Sequence, residues 1–186
     1  MQHVMSAHLQ DGSWHADQQN RVTKLLSLLS PVKPLGFKKV RVGGPGDGGY
    51  VMIDDFPSQP VCYSLGIGGD VSWDLAMATR DATVFQYDHT IARAPAQHPG
   101  FRFFRLGIGN NDSDERMTTL SAAVASNGHQ NQRQMILKMD IEDSEWAALG
   151  STPESCLAQF SQIVVEYHGL ARATDRFWVS QAEKVL

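Results

Sequence analysis

What the chain lacks narrows it first. Of 186 residues only Cys62 and Cys156 are cysteines, too few for a disulfide framework. Cys62 falls in an apolar run and reads as buried filler. No apolar stretch approaches the roughly 20 residues needed to cross a bilayer. The polar opening, Met1 to Asn20, carries His3, His8 and His15 but no apolar signal-peptide core, so a cytoplasmic location is expected. Positive charge is not in excess. Sixteen Lys and Arg against 20 Asp and Glu leave a net charge of −4, which gives general nucleic-acid binding no electrostatic footing. There is no internal repeat and no low-complexity tract. At 42% hydrophobic and 19% charged residues, the composition is that of a soluble globular protein with a real core.

What is present is led by a strand that runs straight into glycines. Val61-Cys62-Tyr63-Ser64-Leu65 is followed by Gly66-Ile67-Gly68-Gly69-Asp70, and a second apolar run, Thr83 to Tyr87, ends in Asp88. A glycine turn after a first strand lets a ligand come against bare backbone. An acidic side chain about 20 residues on, at the tip of the next strand, is placed to hold ribose hydroxyls. The pairing points to a nucleoside-bearing cofactor.

Along the chain, residues 1–18 look poorly ordered, and Arg21 to Leu29 has the apolar spacing of a helix ending before Pro31. Lys38–Val42 and Tyr50–Ile53 flank the glycine-dense turn 43–49 as a hairpin. Further strands are expected at Val61–Leu65, Thr83–Tyr87, Phe101–Leu106, Met135–Met139 and Gln162–Val165. Helices are expected at Ser72–Arg80, Met117–Asn127, Ser144–Leu149 (stopped by Gly150) and Thr174–Leu186. Alternation of helices with near-continuously apolar strands predicts an α/β fold, a Rossmann-like open parallel sheet with helices on both faces. An N-terminal segment and helix, 1–36, would precede a Rossmann-like domain, 37–186.

Strand after strand ends in glycine or a carboxylate: Gly66, Asp88, Gly107, Asp140 and Glu166. Ligands of open parallel sheets sit outside the carboxyl ends of the strands, so these five ends would converge on one crevice. The dinucleotide fingerprint G-x-G-x-x-G is met at Gly66 and Gly68, but Val71 stands at its third glycine, which disfavours a nicotinamide cofactor.

The segments Arg41-Val42-Gly43-Gly44-Pro45-Gly46-Asp47-Gly48-Gly49-Tyr50-Val51, Ser64 to Asp70, Leu137-Lys138-Met139-Asp140-Ile141-Glu142-Asp143-Ser144-Glu145-Trp146, and Ile163-Val164-Val165-Glu166-Tyr167-His168 together resemble the methyltransferase-like-24 type domain, related to the FkbM family of S-adenosylmethionine-dependent methyltransferases. The resemblance covers roughly residues 37–170. It implies S-adenosylmethionine as cofactor and methyl transfer to a hydroxyl of a small molecule or sugar. It also implies a longer sheet, usually completed by an antiparallel pair after the strand of Glu166, so those strands are expected to be missing or shortened here. Asp143 stands where the related pattern carries glycine, and Asp tolerates positive φ better than most residues.

On this reading Gly66, Ile67, Gly68, Gly69 and Asp70 receive the methionine part of the cofactor, and Asp88 the ribose. His89, Gly107, Ile108 and Asp112 (or Asn111) lie about the adenine, and Asp140 lies near the methyl group. Asp140, Glu142, Glu166 and His168 handle the acceptor proton, with His168 the best base. The plain alternatives are a tight strand–helix turn for the glycines, a helix cap for Asp88 and a solubilising role for Glu142 and Glu145. The acids and His168 could also bind Mg²⁺, but their spacing is not diagnostic and no metal is expected. Arg41, Asp47 and Tyr50 would form a lid, and Trp73 and Trp146 would be packing anchors. A sheet short of edge strands can pair with a second chain as a homodimer. The competing functions are an NAD-dependent oxidoreductase and a catalytically inactive cofactor-binding or interaction module.

Overall fold

A computed structural model describes residues 16–111 and 114–186. The chain falls into two units: Pro34–His168, and the residues up to Lys33 together with Gly169–Leu186. The terminal helix, expected with the sheet, therefore groups with the N-terminal helix. In that smaller unit α1 spans 16–28, beginning inside the stretch expected to be disordered. The Gln18 amide donates to Ala173 O at 2.9 Å, and Arg21 pairs with Glu183 through two bonds. A 3₁₀ turn covers Leu170–Arg172, and Asp175 caps the last helix, α6 (Arg176–Val185), by accepting from Phe177 N–H at 2.8 Å.

The larger unit holds the sheet. β1 (Lys39–Gly43) and β2 (Gly49–Ile53) form the expected antiparallel hairpin. β3 (Val61–Leu65), β4 (Thr83–Tyr87), β5 (Phe101–Phe104), β8 (Met135–Met139) and β9 (Phe160–Val165) form a five-stranded sheet, parallel throughout, with helices around it. This is the α/β, Rossmann-like fold expected. Its order, β5-β4-β3-β8-β9, is that of a doubly wound sheet: it builds outward one way from β3, then resumes on β3's other side with β8. β9 is its last strand among the described residues.

Every residue of β8 is buried, as is most of β3, which is why these central strands read as apolar runs rather than alternations. Rings stack across three neighbouring strands, Tyr63 on Phe85 at 5.4 Å and Tyr87 on Phe104 at 4.8 Å between centroids. The hairpin joins this core through Val42, Tyr50 and Met52, which pack with Cys62, Trp73 and Met77. Full burial of a large side chain of this kind contributes roughly 1.5–3 kcal/mol.

Several expectations need correction. The helix expected from Met117 starts three residues later as α3 (Leu120–Ser126), because Met117–Thr118 is instead a short strand, β7, parallel to β6 (Gly107–Ile108). Thr119 then caps α3, its Oγ1 accepting from Ala122 N–H at 3.2 Å. Gly150 does not stop α4 (Glu145–Ser151), which runs through it to a cap at Thr152, and Pro153 opens a four-residue helix, α5 (Glu154–Leu157). α2 (Ser72–Ala78) ends two residues early, and the strand from Phe101 stops at Phe104.

Gly66 marks the point where β3 parts from β8. It has φ +71°, and a Cβ there would lie 1.7 Å from Asp140 O; Gly69 has open space around it. Gly66→Ala is expected to cost more than about 2 kcal/mol and Gly69→Ala less than about 0.5 kcal/mol. Urea denaturation of both variants checks this contrast.

Candidate functional site

At the carboxyl ends of β3, β4 and β8 lies a cleft of about 600 Å³, within the range of small-molecule sites. It opens where the strand order reverses, between β3 and β8. Of the residues expected to bind or react, Gly66, Ile67, Gly68, Gly69, Asp70, Asp88, His89, Gly107, Ile108, Asp140 and Glu142 all line it. Asp112 lies outside the described residues. Asn111 does not line the cleft; its amide donates to Asn110 Oδ1 at 3.1 Å. Glu166 and His168 are not on the wall either, but each touches a residue that is.

Asp88 links the end of β4 to the glycine loop after β3. Its Oδ2 accepts from Gly68 N–H at 2.8 Å, and its Oδ1 accepts from Thr90 N–H at 2.7 Å and Thr90 Oγ1–H at 2.6 Å. The carboxylate thus performs the local turn-forming job and also holds the glycine loop. Burial works to raise its pKa, but the bonds from Thr90 and Gly68 outweigh it and hold the carboxyl below its usual range. Gly68 has φ +48° and nothing within 4 Å of where a Cβ would stand, so the loop presents bare backbone to open space.

The hairpin is fixed over one side. Gly44 N–H donates to Ser72 Oγ at 2.9 Å, and Ser72 Oγ–H donates to Gly48 O at 3.1 Å, tying the turn to the start of α2. Asp47 and Tyr50 reach the cleft. Arg41, expected beside them as a lid residue, instead spans its own turn, donating to Gly44 O and Gly46 O.

Tyr50 ties the hairpin to the acids. Its hydroxyl lies 2.9 Å from Asp140 Oδ2 and 3.2 Å from Glu166 Oε2. A phenol has one proton, so it serves one carboxylate at a time. Burial, then the bond to Asp140, pushes its pKa well up, so it remains a donor. Lys138, nearly buried at the end of β8, donates to Gly66 O at 2.6 Å and pairs with Asp140 Oδ2 at 3.4 Å. The site reading of the sequence did not include it. A lysine inside a strand as apolar as Met135–Met139 is a signal of its own, because buried lysine requires a partner.

Other elements of the site carried weaker signals. Asp74 is buried against Gln86 (2.8 Å) and Ser64 (3.3 Å), and burial pushes its carboxyl up. Thr90, Met117 and Ser144 reach the cleft from loop and β7 positions that only the tertiary fold brings together. Asp143 has φ +74°, a conformation Asp tolerates better than most residues, and Glu142 beside it has φ +51°.

His168 Nε2 lies 3.5 Å from Glu142 Oε2 and 4.0 Å from Asp140 Oδ1, and its Nδ1 lies 3.0 Å from Glu145 Oε1. Burial opposes the imidazolium, but the bond to Glu145 and the charges of Glu145, Glu142 and Asp140 outweigh it and raise the His168 pKa. Asp140, Glu142 and His168 each offer a ligand atom within 4.8 Å of the others, the one such group among the described residues able to hold a metal ion. No helix among the described residues is long and apolar enough to cross a membrane. No family model, curated protein or solved structure matches this chain.

Because the Asp88 carboxyl is held below its unfolded value, its bonds stabilise the fold above that value and are lost as pH falls through the native one. Asp88→Asn is therefore expected to lower stability by about 1–3 kcal/mol near pH 7. The gap from wild type should shrink as pH falls below about 4. Thermal melts of both proteins between pH 7 and 2 test this.

Proposed function

We propose that this chain is an S-adenosylmethionine-dependent methyltransferase, passing a methyl group to a hydroxyl of a small molecule or sugar. The observation that carries the reading is the sign of the cleft. Asp47, Asp70, Asp88, Asp140 and Glu142 line it, with Lys138 the one ammonium among its described lining residues. That field repels a pyrophosphate, which a dinucleotide would have to place against the glycine loop, and attracts a ligand carrying sulfonium and ammonium charges. Lys138 does not offset it for an incoming anion, since its ammonium is already taken by Gly66 O and Asp140.

The ribose would exchange its hydroxyls for the Thr90 bonds on Asp88, which has one lone-pair direction unfilled on Oδ2. The sulfonium would lie toward Asp140. S-adenosylmethionine, when bound, would supply a methyl group activated for in-line transfer to the acceptor oxygen, leaving as a neutral thioether. The hydroxyl proton would pass to His168 within the cluster of Asp140, Glu142 and Glu166. The cofactor is activated before it binds, so the protein contributes positioning and proton removal.

Calorimetric titration with S-adenosylmethionine, S-adenosylhomocysteine and NAD⁺ tests the reading. The first two are expected to bind in the micromolar range, with Asp88→Ala weakening them at least about tenfold, or about 1.4 kcal/mol. Binding of NAD⁺ alone, or of none of the three by folded protein, overturns it. Where an acceptor supports turnover, the rate should rise with pH through a limb above about 6.5, since a base whose pKa is raised is freed only at higher pH. His168→Ala should remove that limb and slow transfer by about 10²–10⁴-fold.

A further inference from the structure

Glu145 has the composition-level look of a charge that solubilises a short helix, yet it is fully buried at the first residue of α4. Its Oε1 accepts from Ile141 N–H at 2.8 Å and lies 3.0 Å from His168 Nδ1, while its Oε2 has no partner. A buried carboxylate with an unmet oxygen is costly, and a surface role does not account for it. The next residue acts on the same target: Trp146 Nε1–H donates to His168 O at 2.9 Å, and its ring stacks on Tyr167 at 4.3 Å. The first turn of α4 therefore grips His168 by its backbone and by its ring.

Carboxylates face both ring nitrogens and can only accept, so distance and burial order them. Nδ1 lies 3.0 Å from the buried Glu145 Oε1, whereas Nε2 lies 3.5 Å from the exposed Glu142 Oε2 and 4.0 Å from Asp140 Oδ1. The single hydrogen of the neutral ring is therefore favoured on Nδ1, with Nε2 left toward Glu142 and Asp140. The charged groups about the ring come from three places: Asp140 at the end of β8, Glu142 in the loop after it, and Glu145 on α4. Lys138 and the Tyr50 hydroxyl hold Asp140 by its other oxygen, with Glu166 beyond Tyr50.

We propose that Glu145 is a positioning residue that holds the Nδ1–H tautomer of His168 and so leaves Nε2, behind Asp140 and Glu142 of the cleft wall, as the atom that accepts the substrate's proton. The proton-accepting part rests on the methyltransferase reading; the tautomer does not. Carboxylate-oriented imidazoles use this device to fix which nitrogen reacts.

The test is imidazole nitrogen NMR on the cofactor-free full chain through a pH titration, with the His168 signals assigned by their loss in His168→Gln. Wild-type His168 is expected to titrate above 6.5 and, once neutral, to carry its hydrogen on Nδ1. Glu145→Gln keeps an oxygen for Ile141 N–H but loses the charge, so the His168 titration should move down and Nε2–H should gain population. Glu145→Asp should restore part of the upward shift. A neutral wild-type His168 with its hydrogen on Nε2 overturns the proposal, and that measurement needs no variant to fold. Where turnover is measurable, the acid limb should follow the titration downward in Glu145→Gln with cofactor affinity unchanged. An unmoved limb in an active enzyme overturns the positioning role alone, whereas loss of all S-adenosylmethionine binding in wild type overturns the methyltransferase reading and leaves the tautomer result standing.

Discussion

No side chain can stand on Gly66. A Cβ at that position would fall 1.7 Å from Asp140 O, because β3 and β8 remain in contact up to the residue where their chains diverge. That close approach organises everything around it. Asp140 N–H donates to Leu65 O at 3.0 Å, and Gly66 N–H donates to Tyr87 O at 2.9 Å, so three strand ends are pinned at one level. Lys138 then closes the junction by donating to Gly66 O. The loops that leave these ends are left to face one another across the crevice at the parallel sheet's switch point, where the backbone is bare.

The acids around this junction are held in place by groups whose own states are fixed. Tyr50 remains protonated, Lys138 is nearly buried, and the glycine loop is stitched to Asp88. These contacts mean that the cleft's negative charge is preorganised rather than gathered by a ligand. The hairpin contributes in the same way. Trp73 donates its Nε1–H to Met52 Sδ at 3.3 Å and helps bury β2 on the core, which sets Tyr50 against Asp140 and Glu166.

Much of this was legible in the sequence, and the reason is physical. Strands buried on both faces must be apolar throughout, so Val61–Leu65 and Met135–Met139 declared themselves as central strands. Glycines and carboxylates at their ends marked the face on which a ligand would sit, and most of the residues so marked line the cleft. What was not legible depends on tertiary contact. Nothing local distinguishes Glu145 from a solvated helix acid, and its burial follows only from how α4 docks under Tyr167 and His168. Met117 and Thr118 have helix-compatible neighbours and became a strand because Gly107 and Ile108 offered them a partner. Arg41 was expected in a lid with Asp47 and Tyr50, and its own turn instead supplies the carbonyls that hold it.

The central claim is that the crevice between β3 and β8 receives the cofactor, and amide chemical-shift mapping with S-adenosylmethionine tests it most directly. The account predicts perturbations concentrated at Gly66 to Asp70, Asp88 to Thr90 and Gly107 to Ile108. Binding that leaves those amides unmoved and perturbs another surface would contradict it.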